Sequence, residues 1–197
     1  MGPESDRQLS LDGFEPATAT DRLFFALLPD AAAREAIAQL AMALPVQHAL
    51  KAQPIDAQRL HVTLHYLGEY AGLPQEVLDR ATAAAERVRT APFEVVFDHA
   101  ASFDTRNNRR PHVLRCGEDF AALASFRRAL GEALVRQRWK LDAAADFIPH
   151  VTLLYDTQAV ARQPVEPVRW IASDFALVRS LVGHGRHEVI GRWRLVG

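Results

Sequence analysis

The chain has 197 residues, 49% of them hydrophobic, which is enough for one sizeable core and excludes general disorder. Its 23 basic residues stand against 24 acidic ones, and a net charge of −1 argues against a protein that coats long nucleic acids by neutralising phosphates. No apolar run approaches the roughly 20 residues that span a bilayer, and the first residues lack the basic, apolar and small-residue regions of a signal peptide. A soluble, cytoplasmic monomer without a membrane partner is expected.

Residues 1–20 are expected to be a disordered tail, with Pro3, Gly13, Pro16 and no sustained period. Within it, Gln8-Leu9-Ser10-Leu11 followed by Phe14 has the form of the short peptides that dock on the bacterial sliding clamp, although so brief a pattern arises readily by chance. Arg22 to Leu28 then reads as a strand, Asp30 as a helix N-cap, and Ala31 to Leu44 as a helix ended by Pro45. Leu60 to Leu67 is strand-like, and Pro74 to Thr90 is an amphipathic helix carrying Val77, Leu78, Ala81, Ala85 and Val88 on one side. Phe93 to Phe97 and His112 to Cys116 are strands; Phe120 to Trp139 is a helix with a stripe of Phe120, Leu123, Phe126, Leu130 and Leu134. His150 to Tyr155, Val168 to Val182 and His187 to Leu195 complete the strands. Strands that follow one another without helices between them point to an α+β fold with antiparallel or mixed sheets and helices packed outside.

One short pattern occurs twice on these strands, as His61-Val62-Thr63-Leu64 and as His150-Val151-Thr152-Leu153. Alternation along a strand puts each histidine and its threonine on one face and the valine and leucine on the other. Around the first copy, Leu60, Val62, Leu64 and Tyr66 form an apolar face, leaving Arg59, His61, Thr63 and His65 opposite, toward a cleft. In the first strand Leu23, Phe25 and Leu27 face the core, so Phe24 falls on the other side, where it could stack on a base.

A single His-x-Thr on a strand is weak evidence, since histidines bonded to hydroxyls are common and threonine favours strands. Two copies on two strands favour function over packing. For His48, His65, His99 and His112 a solvated or supporting role is the better reading; His184 and His187 lie in a glycine-flanked segment and could approach a ligand, but a turn suffices to explain them. His61 and His65 are four apart, about 13 Å along a strand, so they cannot share a metal ion. Neither a metal nor a cofactor is expected. Cys116, the one cysteine, reads as an inert strand thiol.

Two imidazoles, with ordinary pKa values near 6.5, can hold one neutral and one protonated member near neutrality. One then takes a proton from a nucleophile while the other gives a proton to a leaving oxygen, which is what phosphodiester cleavage needs. Two threonine hydroxyls can donate to the phosphate oxygens as charge develops.

The runs His61-Val-Thr-Leu-His-Tyr-Leu-Gly68 and Pro149-His-Val-Thr-Leu153, with Arg22-Leu-Phe-Phe-Ala-Leu27 and Gly191-Arg-Trp193, resemble the bacterial RNA 2′,3′-cyclic phosphodiesterases. These are also called 2′-5′ RNA ligases and belong to the two-histidine phosphoesterase superfamily. The resemblance covers residues 22–195. It implies a bilobal pseudo-two-fold fold in which two mostly antiparallel sheets flank a central cleft, with residues 21–197 forming one catalytic domain of two interleaved lobes. It further implies metal-independent hydrolysis of RNA 2′,3′-cyclic phosphate ends, such as those of tRNA fragments, to 2′-phosphates, together with reversible 2′-5′ joining. Residue by residue, His61 and His150 become acid and base, and Thr63 and Thr152 the phosphate clamps. Many relatives carry an arginine five positions after the second histidine, where this chain has Tyr155. The Tyr155 hydroxyl or Arg186 could take its place, and Arg106, Arg109 and Arg110 could steer an RNA end. A phosphodiesterase for small cyclic nucleotides or ADP-ribose cyclic phosphates, and a non-catalytic RNA-end-binding protein, are the competing readings.

Overall fold

The computed structural model describes residues 18–105, 109–141 and 146–197. The Gln8 to Phe14 segment, nearly all of the expected tail, and Arg106 lie outside the described residues. In chain order the elements are β1 (Asp21–Leu27), α1 (Ala31–His48), a single 3-10 turn (Ala57–Arg59), β2 (Val62–Tyr70), α2 (Gln75–Ala85), β3 (Phe93–Ser102), β4 (Arg110–Cys116), α3 (Ala121–Arg136), β5 (His150–Asp156), β6 (Gln163–Ala172), β7 (Asp174–Leu181) and β8 (Arg186–Arg194). The fold is α+β, and none of the described helices is long and apolar enough to cross a membrane.

The strands form one eight-stranded sheet in the order β6-β3-β4-β5-β2-β1-β7-β8, antiparallel at every pairing. The two sheets expected from the resemblance are two four-stranded halves of this one sheet. They meet at a seam where β2 and β5 share a single pair, Val62 with Val151. The halves repeat one another: β1-α1-β2 in one corresponds to β4-α3-β5 in the other, with the motif strand innermost in both. The helices cross the seam, α1 packing on β5 and β6 and α3 on β2 and β3, with α2 against α3.

The segment expected as one strand from Val168 to Val182 is two. The chain leaves β6 at Ala172, passes Ser173 and enters β7 at Asp174. Because β6 is one edge of the sheet and β7 lies beside the other edge, so short a link requires the sheet to curl.

The helices lie against one face. Leu23, Phe25 and Leu27 of β1 join Ile37 and Leu44 of α1 and Phe126, Leu130 and Leu134 of α3 in the main core. Opposite them a small cluster of Phe24, Ala26, Ala176 and Val178 contains no helix residue, so that face is free to carry a cleft. Asp30 caps α1 as expected, its Oδ1 accepting from the Ala33 N–H at 2.8 Å. Pro45 does not end that helix, which continues to His48. Proline in the last turn forfeits one backbone bond. The helix closes instead at the Pro45 carbonyl, which accepts from Ala49, in the left-handed conformation, and from Leu50, while Leu44 and Leu50 are buried.

Alternation breaks at the same place in both motif strands, and β2 has a second register shift at Leu67, between the Leu23–Gly68 and Phe24–Tyr66 pairs. Against β1, Phe25 pairs with His65 and Ala26 with Thr63, leaving Leu64 as the extra residue of a bulge. Against β4, His112 pairs with Leu154 and Val113 with Thr152, leaving Leu153 extra. The bulge puts two consecutive side chains into the core: Leu64 and His65 in one strand, Leu153 and Leu154 in the other. The next residue then points outward, which is why Tyr66, expected in the core, is instead exposed, as is Tyr155. His65 is correspondingly a core residue; its ring bonds the Arg127 carbonyl through Nε2 at 2.8 Å. Gly131 of α3 permits this contact, since a Cβ there would lie 3.1 Å from the imidazole.

Candidate active site

In an antiparallel ladder the residues flanking a matched pair face one another, so the Val62 and Val151 pair sets Thr63 opposite His150 and His61 opposite Thr152. The two valines are fully buried, which turns all four polar residues to the other face. There they line a cleft of about 300 Å³ together with Phe24, Tyr66, Tyr155 and His187.

Each histidine is anchored in the same manner. His61 Nδ1 lies 2.6 Å from the Arg59 carbonyl, and His150 Nδ1 lies 2.8 Å from the Ile148 carbonyl, two residues upstream in both cases. A carbonyl only accepts, so Nδ1 carries hydrogen in both rings and Nε2 is left for chemistry. The Thr63 hydroxyl is 3.1 Å from His61 Nε2. Among the described residues His150 Nε2 has no hydrogen-bond partner.

Burial lowers the pKa of both imidazoles below the ordinary value. For His61 the positive potentials of His150 and Arg59 act in the same direction, and for His150 that of Arg115 does. The Arg59 carbonyl on His61 and the Ile148 carbonyl on His150 partly oppose this by favouring the charged ring.

The other predicted residues fall variously. Phe24 is in the cleft wall, but its face is covered by His61, with ring centroids 4.8 Å apart and 28° between planes, so it braces the imidazole rather than offering a bare surface to a base. Tyr155 reaches the cleft mouth, with the Arg109 guanidinium 5.0 Å above its ring. Arg186 does not line the cleft; it is exposed and pairs with Glu188 at 3.1 Å, because on β8 it alternates with His187, which does point in. Arg110 pairs with Asp104. Cys116 is buried, and burial pushes its thiol up to about 12, so it stays protonated. His112 is buried against the Gln158 carbonyl, and His48 bonds Gln163.

Two further cleft residues were assigned no role from the sequence. His187 packs edge-on to both His61, at 5.2 Å, and Phe24, at 5.5 Å, and its pKa is lowered to about 4 by burial and by the neighbouring positive potentials. Its register opposite Ser180 brings it there, and no local pattern announces that register. Arg59, two residues before the first histidine, lines the cleft beside it. Alternation had already set it on the cleft side with His61 and Thr63; its buried, unpartnered Nε was not visible from the sequence.

A curled antiparallel sheet whose halves each contribute one His-x-Thr strand to a shared cleft defines the class, that of the two-histidine phosphoesterases. The sequence profile of the 2′-5′ RNA ligase superfamily matches residues 28–183, and the chain belongs to that family. Among solved structures it is similar to Escherichia coli LigT complexed with NADP+, at 27% identity and a TM-score of 0.70, covering 90% of this chain and 99% of that one. LigT complexed with 3′-AMP matches at 25% identity with the same TM-score and coverage. TT0787 of Thermus thermophilus matches at 28% identity and a TM-score of 0.65, covering 89% of this chain and 98% of that one. No protein of curated function matches the sequence.

Proposed function

We propose that the protein hydrolyses RNA 2′,3′-cyclic phosphate ends to 2′-phosphates, with His61 as acid and His150 as base. The observation that carries this reading is the shared anchor of the two imidazoles, each held through Nδ1 on a carbonyl with its Nε2 left to one cleft. The open Nε2 of neutral His150 takes a proton from water as the water oxygen attacks phosphorus. The bond from phosphorus to the 3′ oxygen breaks, and that oxygen takes its proton from His61 Nε2, leaving a 2′-phosphomonoester and a 3′-hydroxyl. Thr63 and Thr152 donate to the non-bridging oxygens as charge accumulates. When a 5′-hydroxyl replaces water, the same steps join two ends through a 2′-5′ linkage.

An RNA end fits better than a small cyclic nucleotide because the cleft opens into a larger groove of about 840 Å³ that shares Thr63, Tyr66 and His150 with it. Phe103, Phe147 and Lys140 line its walls, placing apolar rings and a cation beside nucleotides beyond the reacting one. The test is to incubate a 2′,3′-cyclic-phosphate oligonucleotide with the protein in excess EDTA and identify the product by phosphorus NMR. A 2′-phosphate is expected. A 3′-phosphate would refute the assigned leaving group, bound but unreacted RNA would refute catalysis, and turnover confined to mononucleoside cyclic phosphates would refute the substrate class.

A further inference from the structure

We infer that Arg59 forms the phosphate-binding cation of the cleft, contacting the non-bridging oxygens of the reacting group in place of the family arginine that Tyr155 displaces. This rests on the reading of the cleft as a phosphodiester site.

A buried, unpartnered nitrogen together with a place in the cleft wall distinguishes Arg59 from the other arginines. Arg22, also at the cleft, is held by Glu69 at 2.8 Å, and Arg110, Arg179, Arg186 and Arg192 each pair with a carboxylate. Arg80 and Arg127 donate to main-chain carbonyls. The Arg59 side chain has neither a carboxylate nor a hydrogen-bond partner among the described residues, and its Nε is buried; Arg115 Nε is likewise buried and unpartnered, but Arg115 lies over the Phe103 ring and does not line the cleft. A buried guanidinium donor without an acceptor is costly unless a ligand supplies one. The cleft provides the place: Arg59 lines it between His61 and the β7–β8 turn, where a Cβ on Gly185 would lie 3.7 Å from Arg59 Nη1. Its positive charge is felt by both neighbouring imidazoles and lowers both. Phosphate oxygens would satisfy the donor, neutralise the charge and match the planar fork of the guanidinium.

The backbone under Arg59 is rigid independently of its side chain. The Arg59 N–H donates to the Asp56 carbonyl at 2.8 Å, the Asp56 carboxylate caps the Gln58 N–H at 2.8 Å, and the Arg59 carbonyl anchors His61. Replacing the side chain therefore leaves the His61 anchor in place, so an effect on phosphate binding can be separated from an effect on the acid's position.

The experiment titrates inorganic phosphate into wild type, Arg59→Gln, Arg59→Lys and the distant control Arg192→Gln, following imidazole signals by NMR, with turnover of a cyclic-phosphate oligonucleotide measured alongside. The buried His65, bonded to the Arg127 carbonyl, reports on folding. Arg59→Gln is expected to weaken phosphate binding at least about tenfold, to lower kcat/KM about 10²-fold or more, and to raise the midpoints of His61 and His187. Arg59→Lys is expected to recover part of the binding, and Arg192→Gln to match wild type. Wild-type phosphate affinity and unchanged midpoints in Arg59→Gln would overturn the assignment, as would equal losses in Arg192→Gln. If wild type leaves the oligonucleotide intact while phosphate binding still depends on Arg59, the proposed reaction fails and the phosphate site stands.

Discussion

The motif strands β2 and β5 carry the same run, histidine, valine, threonine, leucine, any residue, tyrosine, with the same bulge at the leucine and the same anchor on the histidine. Around that shared frame their neighbours differ. His61 lies under Phe24 with His187 at its edge and Arg59 beside it, whereas His150 meets the edge of Phe103 at 4.9 Å and pairs in register with Arg115. The repeated part is what holds an imidazole with its Nε2 available. The unrepeated part differentiates two otherwise equivalent groups, which a reaction needing one acid and one base requires.

The sharpest way to break this comparison is to remove the histidines one at a time. His61→Ala and His150→Ala are each expected to lower kcat about 10³-fold, and the double variant to be scarcely worse, because acid and base act in one step. Retained activity in either single variant, measured as release of 2′-phosphate, would show that the strands are not functional equivalents. Thr63→Ala and Thr152→Ala should each cost about 10- to 100-fold in kcat. The hydroxyl of Thr63 also bonds His61, so the Thr63 variant alone should shift the His61 titration.

Six residues after each histidine the strands diverge in how they are held, Leu67 in one and Asp156 in the other. Leu67 is buried in the core, and Leu67→Ala should cost about 2–4 kcal/mol at any pH. Asp156 accepts from the N–H groups of Lys51, Ala52, Thr157 and Gln158, tying the segment after α1 to the end of β5. Those bonds lower its pKa to about 2, against about 3.9 in an unfolded chain. Because the folded value is depressed, its stabilisation is full above about pH 4 and lost as pH falls toward 2. Asp156→Ala should cost about 2–3 kcal/mol near neutrality and little at pH 2, read from urea melts at both pH values.

Features governed by alternation were legible in the sequence. Period two set His61 and Thr63, and His150 and Thr152, on common faces, helical stripes located α2 and α3, and the Asp30 cap located the start of α1. Alternation ends where a bulge adds a residue, and a bulge depends on the partner strand. That is why Tyr66 was assigned to the core while His65 was placed on the cleft side. Long-range register put His187 rather than Arg186 in the cleft, while Arg59 lies on the cleft side where alternation set it. Pro45 shows the limit of a local stop signal when buried leucines on either side favour another turn of helix.

The most direct test of the paired imidazoles is the pH dependence of kcat/KM on a cyclic-phosphate oligonucleotide. Catalysis requires one protonated and one neutral ring, and both pKa values are lowered, so the rate should rise and fall as a bell with its maximum below about pH 6.5. A profile with one limb, or a maximum well above pH 7, would contradict the claim that His61 and His150 share the work of acid and base.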